Sequence, residues 1–181
     1  DRWALRSHRR AAAATDEGRL AEEIVGVKVP GGKSRAEFVE RDEPIRRDTS
    51  LEKLAALPPL DEGGTVTAGN APGVTDGAAA LVVAGEGFAR RRNLEPLGTI
   101  VAHAKVAEEP PNLPTVPGNA GLLALQKAGW RAEDLDLVEI NEAFAVVAIH
   151  SARMLGVDEE IVNVNGGALA LGHPIGASGA R

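Results

Sequence analysis

The sequence predicts a layered α/β fold, and three observations predict it. From residue 97 onward, β-type apolar runs (98–106, 135–140, 161–164) alternate with helix-type segments (119–128, 141–155), the order expected of helices laid on a sheet. Glycines and prolines fall between these runs, where the chain must turn. The apolar content, 44% against 25% charged, is that of an ordinary soluble domain, and with no Tyr, three Phe and two Trp the core must be aliphatic.

Residues 2–18 read as a helix built around Trp3, Leu5 and the alanines Ala11 to Ala14, with Gly18 as its stop. Residues 20–24 add a turn. Apolar alternation around Gly26 and Lys28 predicts a strand over 24–29, ended by Pro30, Gly31 and Gly32. Residues 33–50 are charged and contain Pro44, which predicts a loop with one short strand near 37–39. Ser50 suits the N-cap of a short helix over 51–57 that Pro58 and Pro59 stop. Residues 63–77 form a small-residue loop. The apolar run 78–84 has turn signals on both sides and predicts a buried strand. Residues 87–93 predict a helix whose terminal arginines complement its dipole. Four prolines make 110–117 irregular. A helix over 119–128 closes at Gly129, and another runs from the turn at Asn141 to about Leu155, with Gly156 beyond.

Charge and composition exclude several classes. The net charge is −6 with no dense basic stripe, so the reading includes no nucleic-acid partner. No run approaches the roughly 20 apolar residues of a membrane span, so it includes no membrane partner. Cysteine is absent, which removes disulfides, cysteine metal sites and cysteine nucleophiles from these residues. His8, His103 and His150 form no His-x-x-x-His pair and read as surface or internally satisfied, with no metal site. The chain opens at Asp1 without a signal-peptide pattern, and both ends read as cut from something longer.

The stretch 163–181 concentrates the chemistry. A β-type run enters Gly166 and Gly167, and His173 then sits between Gly172 and Pro174, followed by Gly176, Ser178 and Gly179. Such glycine density serves unusual backbone conformations or close backbone approach. Two readings fit these residues alone: a histidine held for chemistry, or a Gly-rich strand-to-helix loop with an incidental histidine. Asn141 has a similar alternative, as the N-cap of the helix that follows it.

Three stretches, taken together and in order, resemble the thiolase family. They are Thr65 to Ala71 with Asp76-Gly77-Ala78-Ala79-Ala80, then Asn141-Glu142-Ala143-Phe144-Ala145, then Asn163 to Gly167 leading through Gly172-His173-Pro174-Ile175-Gly176-Ala177-Ser178-Gly179. The resemblance covers essentially the whole chain. It implies a fold of two similar halves, each a mixed sheet covered by helices, with an excursion called the loop domain. Residues 1–70 would be the end of the loop domain, 71–93 the end of the N-terminal half, and 94–181 a truncated C-terminal half.

It also implies an acyltransferase that makes or cleaves the carbon–carbon bond of 3-oxoacyl-CoA through an acyl-cysteine. Substrates would be acyl-CoA and CoA, with no separate cofactor, in a cytoplasmic homodimer or homotetramer. His173 matches the histidine that donates to the thioester oxygen and helps activate the cysteine. Asn141 matches the asparagine that completes that oxyanion hole by fixing a water. Glu142 matches a residue supporting the site by hydrogen bonding; alone it would be an ordinary first-turn acid. Ala68, Ala143 and Phe144 match positions lining the pantetheine tunnel, although plain packing explains Ala143 and Phe144 equally well. Arg46 matches a contact to the adenine end of CoA; alone it would be a solvated arginine. The family's reactive cysteine lies upstream of these residues and a second lies downstream, so these 181 residues should be inactive by themselves. Pro72, Leu60 and Lys53 also depart from the family's usual residues near CoA. A non-catalytic module that binds CoA esters is the alternative.

Overall fold

A computed structural model describes residues 1–29 and 38–181. The predicted stop at Pro30 to Gly32 and the Glu37 end of the second short strand lie outside the described residues. The longer helices fall close to where the sequence places them, with two starts that differ: one begins at Val116, inside the stretch expected to be irregular, and one at Ala145, beyond the Asn141 turn. Helix α1 (Arg2–Asp16) buries Trp3, Ala4, Ser7, His8, Ala11 and Ala14, an i, i+3/i+4 stripe along one face. That face packs chiefly on a late short helix, α6 (Ala168–Leu171). A 3-10 turn, Ala21–Glu23, follows. Strands β1 (Val27–Lys28) and β2 (Phe38–Val39) then pair antiparallel, Val27 opposite Val39.

Helix α2 (Leu51–Ala55) is capped as predicted, the Ser50 hydroxyl oxygen accepting the Lys53 N–H at 3.3 Å. It packs its Leu54 against the turn at Gly69, where an added Cβ would lie 2.6 Å from the side chains of both Leu54 and Leu57. Helix α3 (Glu86–Arg91) ends in arginines. The proline-rich stretch is a 3-10 segment, Pro110–Thr115, leading into α4 (Val116–Ala128). Helix α5 (Ala145–Leu155) packs across α4. The two helices approach closely because Gly118 and Gly121 face Met154 and Leu155; a Cβ at either glycine would come within 2.8 Å of them. Gly129 (φ 72°) and Gly156 (φ 71°) end these helices in the left-handed conformation open to glycine. Trp3, Leu5, Ile140, Ala148, Ala152, Val162 and Leu169 form the main core between α1, α5 and α6.

The sheet is where expectation and structure part. The predicted strands 135–140 and 161–164 do run side by side in parallel. The Val138 N–H bonds Ile161 O at 3.0 Å and the Asn163 N–H bonds Val138 O at 2.9 Å, a single bridge. Residues 78–84 and 98–106 form no strand, and the first is not buried: Val82 is 98% exposed and, in the second, Ile100 is 71% exposed. A strand requires a neighbour for its backbone N–H and C=O groups, and among the described residues neither run has one. The surface agrees. The chain exposes 12827 Å², against about 8,300 Å² for a folded monomer of its 18.8 kDa mass.

Candidate functional site

The site is built outward from one carboxylate. Glu142 lies two residues beyond Ile140, the end of the bridged run, and is 1% exposed. A buried carboxylate is costly unless its lone pairs are all satisfied. Here Oε1 accepts from Trp3 Nε1 at 2.8 Å and Asn163 Nδ2 at 3.0 Å, while Oε2 accepts from Ser7 Oγ at 2.7 Å and the Leu169 N–H at 3.0 Å. Four donors meet four acceptor positions. They arrive from α1, from the loop after residue 162 and from α6. Glu142 is therefore a tie between three elements, and the first-turn reading is corrected: α5 begins only at Ala145, with Phe144 as its N-cap.

Asn163 completes this arrangement. It takes a positive φ of 50°, which asparagine tolerates better than most residues. Its amide then stands in for the next rung of the ladder: Oδ1 accepts the Ile140 N–H at 2.7 Å and Nδ2 donates to Ile140 O at 2.8 Å. The second amide hydrogen goes to Glu142. Gly166 and Gly167 give the chain room to pass. A Cβ at Gly166, whose φ is 83°, would strike Ala11 and Ser7 of α1, and one at Gly167 would lie 2.6 Å from Glu142 Oε2.

With that base fixed, two side chains meet at its edge. Asn141 Nδ2 lies 3.3 Å from His173 Nε2. The other imidazole nitrogen, Nδ1, lies 2.8 Å from Ser178 Oγ. Asn141 is exposed and His173 half-buried. The N-cap reading of Asn141 does not hold. Its carbonyl accepts the Ala143 N–H at 3.0 Å, and its side chain turns to the histidine.

The small-residue loop closes over the same place. Asn70 O accepts the Ala145 N–H at 2.9 Å, which puts the turn carrying Ala68 against the start of α5. Asn70 holds its own turn by accepting the Thr67 N–H at 3.0 Å and donating to Thr65 O at 3.1 Å. Further along, Thr75 sits over Gly172, where an added Cβ would be 2.6 Å from its side chain, and Gly77 sits against Pro174 at the same distance. Three distant stretches of sequence thus meet around the turn that carries His173.

Comparison with known proteins decides the family. Residues 1–87 match the description "Thiolase, N-terminal domain", and residues 94–181 match "Thiolase, C-terminal domain". This chain belongs to the thiolase family. An acetyl-CoA acetyltransferase of Shinella zoogloeoides is 50% identical over 182 aligned residues, and one of Paracoccus denitrificans is 49% identical. Both alignments take in 100% of this chain and 46% of the relative, so the chain spans under half the length of the curated relatives it matches. The fold is similar to the crystal structure of the Bacillus anthracis acetyl-CoA acetyltransferase, with TM-score 0.94 and 41% identity over 99% of this chain and 46% of that one. It is similar also to human mitochondrial 3-ketoacyl-CoA thiolase, with TM-score 0.86 and 39% identity over 99% of this chain and 45% of that one. The layered α/β class is thus that of a partial thiolase fold.

Set in this thiolase fold, the predicted residues divide. His173 and Asn141 come together. Ala143 and Phe144, both half-buried, immediately precede α5, and the exposed Ala68 lies two residues before Asn70, whose carbonyl meets the first residue of α5. Arg46 is held elsewhere: its N–H donates to Nδ1 of His8 at 3.1 Å, and its side chain is exposed. His8 is buried and satisfied by that bond, and burial, then the nearby Arg46 charge, push its imidazole below the usual range. Among the described residues no group of histidines and acids could hold a metal ion, and no helix is long and apolar enough to cross a membrane.

Sequence reasoning missed the weight of Glu142 and the parts played by Trp3, Ser7, Asn163 and Ser178. One signal was available. A carboxylate two residues beyond a predicted strand, in a turn entering a helix, stands where it can meet donors from both.

Proposed function

We propose that the whole protein carrying these residues is an acyl-CoA acyltransferase that makes or cleaves the carbon–carbon bond of a 3-oxoacyl-CoA through an acyl-cysteine. The observation that carries this reading is His173 Nε2 set 3.3 Å from the Asn141 amide, both on loops anchored by Glu142. The names of the relatives, acetyl-CoA acetyltransferases, support it.

The chemistry follows from charge. Thioester attack and enolate formation both place negative charge on a former carbonyl oxygen, and fixed donors aimed at that oxygen lower the barrier by about 3 kcal/mol each. His173 is read as such a donor and as the acceptor of the nucleophile's proton. Asn141, whose amide can donate and accept at once, is read as the second element of the oxyanion hole. Ala68, Ala143 and Phe144 line the approach of the pantetheine arm, and Arg46 meets the nucleotide end of CoA. The chain has no cysteine, so the nucleophile and a second thiol come from residues beyond these 181. The division into residues 1–70, 71–93 and 94–181 is part of the same reading, and the match that begins at residue 94 supports its last boundary. So are a cytoplasmic location and a homodimeric or homotetrameric assembly.

The test is thiolysis of acetoacetyl-CoA by free CoA, followed by loss of the enolate absorbance. The whole protein should turn over, and His173→Asn should reduce kcat by about 10²- to 10³-fold, the range for removing one oxyanion donor. Full activity in His173→Asn would overturn the assignment.

A further inference from the structure

The sequence motif contains a polar side chain, Ser178, to which the reading above gives no part. Its hydroxyl stands between two groups. Oγ lies 3.1 Å from the carbonyl of Pro174, four residues back, and 2.8 Å from Nδ1 of His173. A serine bonding the carbonyl four residues before it is a common back-bond in a helical turn. The chain from Pro174 to Ser178 is such a turn, with the Ser178 N–H also on Pro174 O at 3.0 Å.

A hydroxyl has one hydrogen and two lone pairs. Pro174 O also accepts the Ala177 N–H at 2.8 Å; with the Ser178 hydrogen given to that same carbonyl, only lone pairs face His173 Nδ1. Two lone pairs at 2.8 Å repel, so the neutral ring must carry its proton on Nδ1. Its Nε2 is then bare. The opposite end of the ring fits the same tautomer, because with the Asn141 Nδ2 amide 3.3 Å from Nε2 a donor faces an acceptor. The hydrogen bond made by one ring nitrogen sets which proton the other lacks.

We propose that Ser178 is a positioning residue that fixes neutral His173 as the Nδ1–H tautomer, so that Nε2 faces the site as a base. The consequence for chemistry rests on the function proposed above. A bare Nε2 can take the proton of an approaching thiol: the S–H bond breaks, its electron pair stays on sulfur, and an N–H bond forms. The resulting imidazolium then holds an N–H at that same nitrogen, and this is the donor that a developing oxyanion requires. One nitrogen serves both steps in sequence because Ser178 keeps the proton on the other. The Nε2–H tautomer could donate to an oxygen but could not first accept a proton there.

The experiment is nitrogen NMR of the whole protein labelled with ¹⁵N-histidine at about pH 8.5, roughly two units above the ordinary imidazole range. His173→Asn identifies the His173 signals by their loss. In the unsubstituted protein, Nδ1 should resonate as a protonated, pyrrole-type nitrogen and Nε2 as a bare, pyridine-type one. Ser178→Ala should move the protonated signal toward Nε2. Ser178→Thr, which keeps a hydroxyl, should restore the original pattern, and Ser178→Val, of the same shape without it, should not. The Trp3 indole N–H signal, dependent on Glu142, reports whether each variant is folded; if Ser178→Ala is not, the Thr and Val pair decides. A proton on Nε2 in the unsubstituted protein would overturn the proposal, and so would a pattern unchanged by Ala or Val. Failure of thiolysis in the same unsubstituted sample would count against the proposed function and leave the tautomer result standing.

Discussion

Replacing Glu142 by glutamine changes one atom and should cost much of the stability of this chain. The carboxylate takes four hydrogen bonds, two at each oxygen, from Trp3, Asn163, Ser7 and the backbone of Leu169. Glutamine keeps one oxygen and turns the other into an NH₂ group aimed at two donors. Hydrogen bonds to a charged acceptor contribute about 1.5–3 kcal/mol each, so two lost bonds amount to about 3–6 kcal/mol. Ser7 can rotate its hydroxyl and recover part of this; a backbone N–H cannot turn away. A net loss of about 3–5 kcal/mol compares with a total of about 5–15 kcal/mol for an ordinary domain. With a urea slope of about 2 kcal/mol/M, the unfolding midpoint should drop by about 2 M, as read by near-ultraviolet circular dichroism and the Trp3 indole signal. A midpoint within about 0.5 M of the parent would refute the view that this carboxylate ties α1, the Asn163 loop and α6 together.

Other outcomes follow from the same geometry. Gly166→Ala should lose about 1–2 kcal/mol for the left-handed backbone and a further ~1–3 kcal/mol from overpacking on Ala11. Gly63→Ala, at φ 74° with open space around it, should lose only the backbone part; equal losses would contradict the close approach to α1. His8 is held neutral in the fold, so its contribution to stability is complete above about pH 6.5 and is lost as pH falls through its depressed folded-state value. Urea midpoints for His8→Asn should therefore depend less on pH between about 7.5 and 5 than those of the parent; identical profiles would sink that assignment. Asn141→Ala in the whole protein should lower kcat for thiolysis by about 10²-fold with folding intact, and an unchanged kcat would remove Asn141 from the site. These 181 residues alone, lacking cysteine, should show no thiolysis at all.

Helices were legible in the sequence because their signals are local. Ser50 caps α2 through its own third neighbour, and Gly129 and Gly156 end α4 and α5 by conformations that other residues avoid. Strands were legible only where a partner lies among the described residues. The run ending at Ile140 finds Val162 and Asn163 and bridges to them; 78–84 has equal β character and no bonded neighbour among the described residues. The site was legible as a motif and not as a mechanism of support. His173 and Asn141 were both singled out, and they meet. What positions them was hidden, because Trp3, Ser7 and Asn163 act through pairings 21 to 139 residues apart in sequence, which no local window displays.

Those separations have a consequence in time. Glu142 draws donors from Trp3, 139 positions earlier, and from Leu169, 27 positions later. Contacts of such span form late, since the entropy of closing the intervening chain must be met before they contribute. During synthesis at about 5–20 residues per second, α1 would emerge roughly 8–33 s before Leu169 exists to meet it. For most of that interval the apolar stripe of α1 has no carboxylate to bond, and for all of it no α6 to pack against. The loop bearing His173 is made well over a hundred residues after α1, and the loop leading to it packs onto that helix, so the candidate active site takes shape only as these two distant segments are joined.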